Sequence, residues 1–189
     1  MRSFVKSLLL LPLTLLPGLV LAQNSGDIVG GITYSQTHIQ NKAPSNVAAF
    51  QPAVVSLGVG VILIPNLALE GYVFDGLSNA TNTIAPNTTA TVEIQNGYGF
   101  SLRPYAKLGN GWGAYAKLGR QYGSQDVVTR TPTIQRTTHT TYARTTYGLG
   151  LSYNLTPRWS VAAEHLKSRS IPGETTTATT TGVGLRYLF

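Results

Sequence analysis

The chain has 189 residues, no cysteine, few charged side chains and a formal charge of +7. Without cysteine, no disulfide framework, thiolate metal site or thiol chemistry is available. The basic balance comes with no clustered Lys/Arg run and no aromatic RNA-binding motif, which sets nucleic acid aside.

The chain opens on a positive stretch with Arg2 and Lys6, then an apolar run from Leu8 to Leu21 interrupted by Pro12 and Pro17. Leu19-Val20-Leu21-Ala22 offers a small residue for cleavage before Gln23. This is the pattern of a secretory signal peptide over 1–22, with one domain over 23–189. The run falls short of the roughly 20 apolar residues of a membrane-spanning helix. Loss of Arg2 and Lys6 lowers the formal charge from +7 to +5. No later segment is a helical span, since the longest apolar run, Val59 to Ile64, contains Gly60 and stops at Pro65.

The rest of the chain is rich in Gly, Thr and Tyr and carries no 3.6-residue apolar stripe. Ile64-Pro65-Asn66, Gly109-Asn110-Gly111 and Asn154 to Arg158 are tight turn signals. Longer polar stretches lie between them, at Thr37–Pro52, Leu77–Ala90, Ser124–Thr140 and Ile171–Thr176. Three turns and four loops connect eight strands, placed near 27–36, 53–63, 67–76, 91–108, 112–123, 141–153, 159–170 and 177–189. Short turns alternating with long loops are the asymmetry of an outer-membrane barrel. The expected fold is all-β, an eight-stranded antiparallel transmembrane barrel.

Parity assigns faces to these strands. Val55, Leu57, Val59 and Val61 are expected to face lipid on the second strand, and Leu67, Leu69 and Val73 on the third. On the fourth, Val92, Ile94, Tyr98, Phe100, Leu102 and Ala106 are expected outside, with Glu93, Gln95, Arg103 and Lys107 inside. On the sixth, Thr145, Tyr147, Leu149 and Leu151 oppose Arg144, Thr146, Gly148 and Gly150. The last strand puts Val183, Leu185, Tyr187 and Phe189 on one face, and Gly182, Gly184 and Arg186 on the other. A greasy face toward acyl chains and a small or polar face toward a lumen suit a closed barrel. Trp112, Tyr153, Trp159 and Phe189 cluster beside the short turns as an interfacial aromatic girdle.

The ending Gly184-Leu185-Arg186-Tyr187-Leu188-Phe189 resembles the insertion signal of Gram-negative outer-membrane barrels, carried by Gly184, Tyr187 and Phe189. Gly182 stands where that pattern usually has a polar residue. Ile62 to Tyr72, Arg103 to Gly109 and Tyr147 to Trp159 are similar to hairpin segments of the small outer-membrane β-barrel family of opacity-type and porin-like surface proteins. The resemblance implies an eight-stranded barrel in the outer membrane, handled by the outer-membrane assembly machinery, with external loops that vary freely.

Candidate chemistry is confined to a few groups. Glu70, Glu93 and Glu164 share inward parity with Arg103, Lys107, Lys117, Arg144 and Arg186. A narrow eight-stranded barrel has room for side chains but hardly for a channel. Charges there must pair or be solvated, so these eight are read as a salt-bridged plug. Arg120, Arg130, Arg136, Lys167 and Arg169 fall near the third and fourth loops, where they suit contact with lipopolysaccharide phosphates. His38, His139 and His165 are scattered, without metal-ligand spacing or a His-x-Ser pattern, so no catalytic, cofactor or metal residue is assigned.

The function expected from the sequence is a non-enzymatic, structural and surface-interactive outer-membrane barrel serving envelope integrity, with loops open to adhesion or host contact. A narrow porin-like channel for small solutes is the alternative, and a lipid-modifying enzyme a distant third. Outer-membrane lipid and lipopolysaccharide are the expected partners, with no nucleic acid and no cofactor.

Overall fold

The computed structural model describes residues 25–41, 49–169 and 176–189. The expected leader over 1–22 and most of the Ile171–Thr176 stretch lie outside them. All regular structure among the described residues is strand. The strands are β1 (Ile28–Asn41), β2 (Ala49–Phe50), β3 (Ala53–Ile64), β4 (Leu67–Ser78), β5 (Ala80–Ala85), β6 (Thr88–Gly109), β7 (Trp112–Arg130), β8 (Gln135–Asn154), β9 (Trp159–Arg169) and β10 (Thr176–Leu188).

Eight of them are barrel staves. The sheet order β10-β9-β8-β7-β6-β4-β3-β1 closes because β1 also pairs β10, in antiparallel register from Val29↔Leu188 to Asn41↔Thr176. Closure leaves no sheet edge facing lipid, which is the condition for a β-structure in a bilayer. Its seam is completed at the last residue, where the Phe189 N–H donates to the Ile28 carbonyl at 2.9 Å and the Leu188 N–H to the Arg158 carbonyl at 2.9 Å.

The turns at one end are short because their residues accept unusual backbone angles. Gly109 pairs with Trp112 across Asn110 (φ 49°) and Gly111 (φ 81°). Two consecutive positive φ values give the hairpin turn whose twist matches the flanking strands. Asn66 (φ 73°) serves the same purpose between β3 and β4. By the asymmetry of such barrels this is the periplasmic end.

At the other end the polar stretches expected as loops are largely strand. β1 runs on to Asn41 and β2 pairs with it at Ile39↔Phe50. β5 occupies part of the expected Leu77–Ala90 loop and pairs with the upper half of β6, so β4 and β5 form one stave interrupted at Asn79. The expected Ser124–Thr140 loop is a hairpin in register from Ser124↔Thr141 up to Arg130↔Gln135. Thr and Val dominate these segments, and both favour a pleated surface over a coil. With 19 and 20 residues, β7 and β8 exceed the roughly 9–11 needed to cross a bilayer. Their upper parts therefore stand roughly 25 Å clear of the lipid band at ~3.3 Å per residue.

The outer wall of the lower barrel is apolar, with exposed Leu57, Val59, Val73, Phe100, Leu118, Leu149 and Val183. A girdle borders it below. Trp112 packs against Tyr153 in a tilted pair at 5.0 Å, Trp159 against Tyr187 at 4.8 Å, and Tyr187 meets Phe189 edge-on at 4.9 Å.

One face assignment is corrected. β6 and β7 slip register between Ile94 and Gly97. The irregularity reverses side-chain parity above it. Val92 and Ile94 are therefore buried inside, at 4% and 6% exposure, and Glu93 turns to the outer face opposite Asp126. Below the slip, Tyr98, Phe100 and Leu102 face out as parity requires.

Candidate functional site: the lumen and the outer rim

The lumen is built in layers by inward residues of several staves, adjacent and non-adjacent. At its middle, five charges form one chain. Arg103 Nε lies 2.8 Å from Glu70 Oε1, an ion-pair contact rather than a well-aligned hydrogen bond. Lys117 Nζ reaches Glu70 Oε2 at 3.4 Å and Glu164 Oε2 at 2.9 Å. Arg186 Nη2 stands 3.7 Å from the same Glu164 oxygen. The chain links β6, β4, β7, β9 and β10. It spans the barrel because Lys117, on β7, reaches past β6 to β4 and past β8 to β9.

Tyr115 braces this layer. Its hydroxyl donates to Glu164 Oε2 at 3.2 Å and accepts from Arg186 Nη2 at 3.2 Å. The guanidiniums of Arg186 and Arg103 lie 4.6 and 5.4 Å from its ring centroid, within cation–π range. The ring can lie so close to the wall because Gly150 stands behind it, where a Cβ would overlap Tyr115. Tyr72 is seated against Gly99 in the same way. Parity alone puts Tyr115 on the same face as Lys117, so its place in the network was available from the sequence.

Of the eight residues expected to share the lumen, Glu70, Glu164, Arg103, Lys117 and Arg186 meet directly. Arg144 is buried one layer higher, its guanidinium 4.2 Å from the Tyr142 ring centroid. Lys107 is exposed at the periplasmic mouth, outside the ion-pair chain. Glu93 is not in the lumen at all, because the irregularity in β6 turns it outward.

Apolar clusters lie above and below the charges. Above them Ile39, Phe50, Val54, Phe74, Val92 and Ile94 form a buried cluster across the external half of the barrel. Below, Val29, Ile62, Ala68 and Leu188 form a smaller apolar cluster on the neighbouring staves β1, β3, β4 and β10 near the periplasmic end. Besides a space of about 60 Å³ nearer the periplasmic mouth, bordered by Arg103, Lys107, Tyr115 and Arg186, the interior holds a cavity of about 100 Å³ bordered by Thr33, Ser35, Ser101, Glu70, Lys117 and Arg186. That volume holds a few waters at roughly 30 Å³ each. The upper layer was not legible in the sequence. Its β6 members carry the wrong parity for a regular strand, and Ile39 and Phe50 fall in a stretch that reads as polar loop.

The outer rim divides the five expected lipopolysaccharide contacts into two groups. Arg120 faces Thr145 on β8, which faces Arg169 on β9, and one step below, Leu118, Tyr147 and Lys167 align in the same way. Arg120, Lys167 and Arg169 are all exposed. They form one basic belt at the upper border of the apolar wall, where Tyr98 stacks on Tyr122 at 5.2 Å and Arg120 lies over Tyr122 at 5.7 Å. Arg130 and Arg136 sit instead at the hairpin tip, about ten residues up β7, or roughly 33 Å away.

The histidines have local partners. His38 lies between Gln40 and Gln51 at 3.0 and 3.2 Å, and His165 Nδ1 is 2.9 Å from Thr181 Oγ1. His139 Nδ1 lies 2.6 Å from Asp126 Oδ1, whose second oxygen accepts from Gln95 at 3.2 Å. No group of three or more metal-ligating side chains is assembled among the described residues.

Gly184, Tyr187 and Phe189 lie at the closing seam. A Cβ on Gly184 would stand 2.6 Å from Thr33 Oγ1. The Tyr187 hydroxyl accepts from Arg158 Nη1 at 3.1 Å, and the Phe189 ring covers Gly30.

Comparison with known proteins agrees with this architecture. The model of the outer membrane protein beta-barrel domain matches residues 8–189. Among solved structures the chain is similar to Ail, the attachment invasion locus protein of Yersinia pestis, with TM-score 0.59 and 15% identity, over 87% of this chain and 99% of that one. Ail in complex with the heparin analogue sucrose octasulfate gives TM-score 0.58 at 15% identity, over 87% and 99%. Neisserial surface protein A gives TM-score 0.58 at 13% identity, over 86% and 97%. At such identities these likenesses establish the fold. No curated protein matches the chain.

Proposed function

Because the chain belongs to the outer membrane protein beta-barrel domain family, it is an integral β-barrel of the outer membrane, and we propose that its role there is structural and surface-interactive rather than conductive or enzymatic. The observation that carries this reading is the narrow lumen filled by side chains. Apolar clusters lie above and below a spanning ion-pair chain, and the spaces left beside that chain are about 100 and 60 Å³. Side chains leave solutes little room, and the surfaces open to the environment are the external sheet of β5 to β8 and the outer rim.

The belt of Arg120, Lys167 and Arg169 suits lipopolysaccharide. It sits at headgroup height, beside interfacial tyrosines, and guanidinium groups meet phosphate oxygens in bidentate geometry. The separate basic tip, Arg130 with Arg136, extends the surface available to anionic ligands outside the lipid. On this reading the external sheet presents contacts for adhesion while the belt anchors the barrel in the outer leaflet. The β10 strand ending in Tyr187 and Phe189 is the segment offered to the assembly machinery.

Lipopolysaccharide co-purification and thermal stabilisation test the reading, compared between wild type and the triple variant Arg120→Ala/Lys167→Ala/Arg169→Ala. Wild type is expected to gain stability from added lipopolysaccharide at low salt and to lose part of that gain at high salt, whereas the variant gains little. Equal gains for both proteins at both salt concentrations contradict the anchoring role.

A further inference from the structure

The upper half of β8 has a strand beside it on one side only. β7 stays in register with it up to Arg130↔Gln135, whereas β9 ends at Arg169, opposite Thr145, and above that level no described strand pairs with the far side of β8. Chain length rules out a partner from the two connecting stretches. Arg169 faces Thr177 and Thr176 is paired with Asn41, so the six residues between Arg169 and Thr176 rise and return within ~11 Å, to about the level of Tyr142. The stretch between the paired Gln40 and Ala49 starts three staves away, and crossing to β8 and back takes ~29 Å of its roughly 31 Å reach. Gln135 to Thr141 are exposed, contain neither proline nor lysine, and carry Arg136 as their one permanent charge. The ladder to β7 runs through them without a bulge. Such an edge lacks most of the devices that keep exposed strands from pairing.

Backbone parity fixes what the edge offers. The Asn154 N–H donates to the Gly111 carbonyl at the lower end of the β7–β8 hairpin, and the Thr131 N–H to the Ile134 carbonyl at its tip. Both ends put the even-numbered β8 residues in the hydrogen-bonded pairs with β7. The odd-numbered ones, Gln135, Thr137, His139 and Thr141, therefore aim N–H and C=O away from β7, toward the edge. The His139 ring is held over β7, with Nδ1 2.6 Å from Asp126 Oδ1, and leaves the edge beside it open. The sequence here reads the same in both directions about His139, as Thr137-Thr138-His139-Thr140-Thr141. Laid antiparallel on a second copy in the register centred on His139, Thr137 meets Thr141 and Thr138 meets Thr140. Every edge-facing residue then meets another edge-facing residue. Such pairs exchange two backbone hydrogen bonds, and cross-strand Thr–Thr pairs are favourable.

We propose that this edge is a homophilic contact, in which Thr137–Thr141 of one barrel pairs antiparallel with Thr137–Thr141 of a second copy on a facing membrane. Antiparallel pairing points the two barrels in opposite directions. His139 stands roughly 20 Å along β8 from Thr145, at ~3.3 Å per residue. In this register Gln135 of one copy comes opposite Ala143 of the other, so each hairpin stops near the other's belt of Arg120 and Arg169. A single contact of this length is short, and many copies on two surfaces strengthen it by multivalency. Homophilic pairing deepens the surface-interactive role, on which it rests, by naming a partner. The lipopolysaccharide test involves none of these residues, so either can fail without the other.

The chain has no cysteine, so single introduced cysteines report the contact. Each variant is refolded into its own preformed lipid vesicles, the vesicles are pelleted together and oxidised with copper phenanthroline, and disulfide-linked dimer is read on non-reducing gels. Arg130→Cys, at the exposed tip, sets the level of random collision. His139→Cys is expected to dimerise alone. Thr137→Cys vesicles mixed with Thr141→Cys vesicles are expected to give about tenfold more dimer than either population by itself, since facing residues are held ~5.5 Å apart, within disulfide range. Adding Thr137→Pro to His139→Cys removes an N–H that bonds nothing on β7 and is expected to return the yield to the collision level, with heat-modifiable mobility kept. Should that variant fail to fold, Thr137→Lys/Thr141→Lys in the same background sets lysine against lysine and is expected to do the same. A mixture that yields no more dimer than its separate populations overturns the proposal, as does a His139→Cys yield at the collision level. Undiminished dimer from a folded blocked-edge variant overturns it too.

Discussion

Lys117 and Glu164 join two staves that are not neighbours: the ammonium on β7 meets the carboxylate on β9 at 2.9 Å, across the width of β8. Hydrogen-bonded ladders fix each stave only to the next. A contact that skips a stave fixes the cross-section of the barrel, and Lys117 makes two such contacts, the second to Glu70 on β4.

Replacing Lys117 with Met should therefore cost more than the loss of one surface pair. It leaves Glu70 and Glu164 buried with one cation each. Breaking a buried ion pair costs about 3–5 kcal/mol, and the residual partners Arg103 and Arg186 place this variant at the lower end of that range. Urea unfolding in lipid vesicles reads the difference. A change within about 0.5 kcal/mol, the range of an ordinary surface substitution, would show that the network is solvated and contributes little.

Gly150→Val tests the seat of Tyr115. A side chain there overlaps the ring that holds Glu164 and Arg186 in place. Overpacking of this kind costs about 1–3 kcal/mol. The double variant Gly150→Val/Tyr115→Ala is expected to be more stable than the sum of its single effects implies, because the clash is relieved. Strict additivity in the same unfolding assay would mean the two positions do not share one packing problem.

Phe189→Asp places a charge where an aromatic ring covers Gly30 and meets Tyr187 within the lipid-facing girdle. Poor insertion is expected, with misassembled protein accumulating in the periplasm. Heat-modifiable gel mobility and outer-membrane yield measure it, and wild-type values for both would remove Phe189 from any part in assembly.

Phe74→Ala opens the upper apolar layer. Phe74 is 6% exposed, and its ring lies against Gly97 and Gly123. A loss of about 3–5 kcal/mol is expected for a buried Phe truncated to Ala, less whatever water recovers by entering from above. Differential scanning calorimetry of the refolded barrel gives the shift, and an unchanged melting temperature would show that the layer is loosely packed.

Where the strands are regular, sequence and structure agree residue by residue. On β8, Arg144 and Thr146 point in while Tyr147, Leu149 and Leu151 point out, because period-two alternation is a property of the pleat itself. The turns at Pro65-Asn66 and Asn110-Gly111 were equally legible, since few residues accept their backbone angles. Glu93 was misplaced for a different reason. A register slip leaves no compositional mark, yet it inverts every side chain beyond it, so Val92 and Ile94 joined the interior while Glu93 left it. The external hairpins were missed because Thr-rich, polar strands outside a membrane lack the apolar face that makes a strand visible. Arg130 and Arg136 could not be separated from Arg120 until the length of β7 was known.

Single-channel recording in planar bilayers addresses the side-chain-filled lumen most directly. Wild-type barrel is expected to give no stable conductance steps at moderate voltage, with Phe74→Ala/Lys117→Met raising the frequency of brief openings. Large, long-lived steps from the wild-type protein would contradict the closed barrel described here and turn the charges of Glu70, Arg103, Lys117, Glu164 and Arg186 into the lining of a pore.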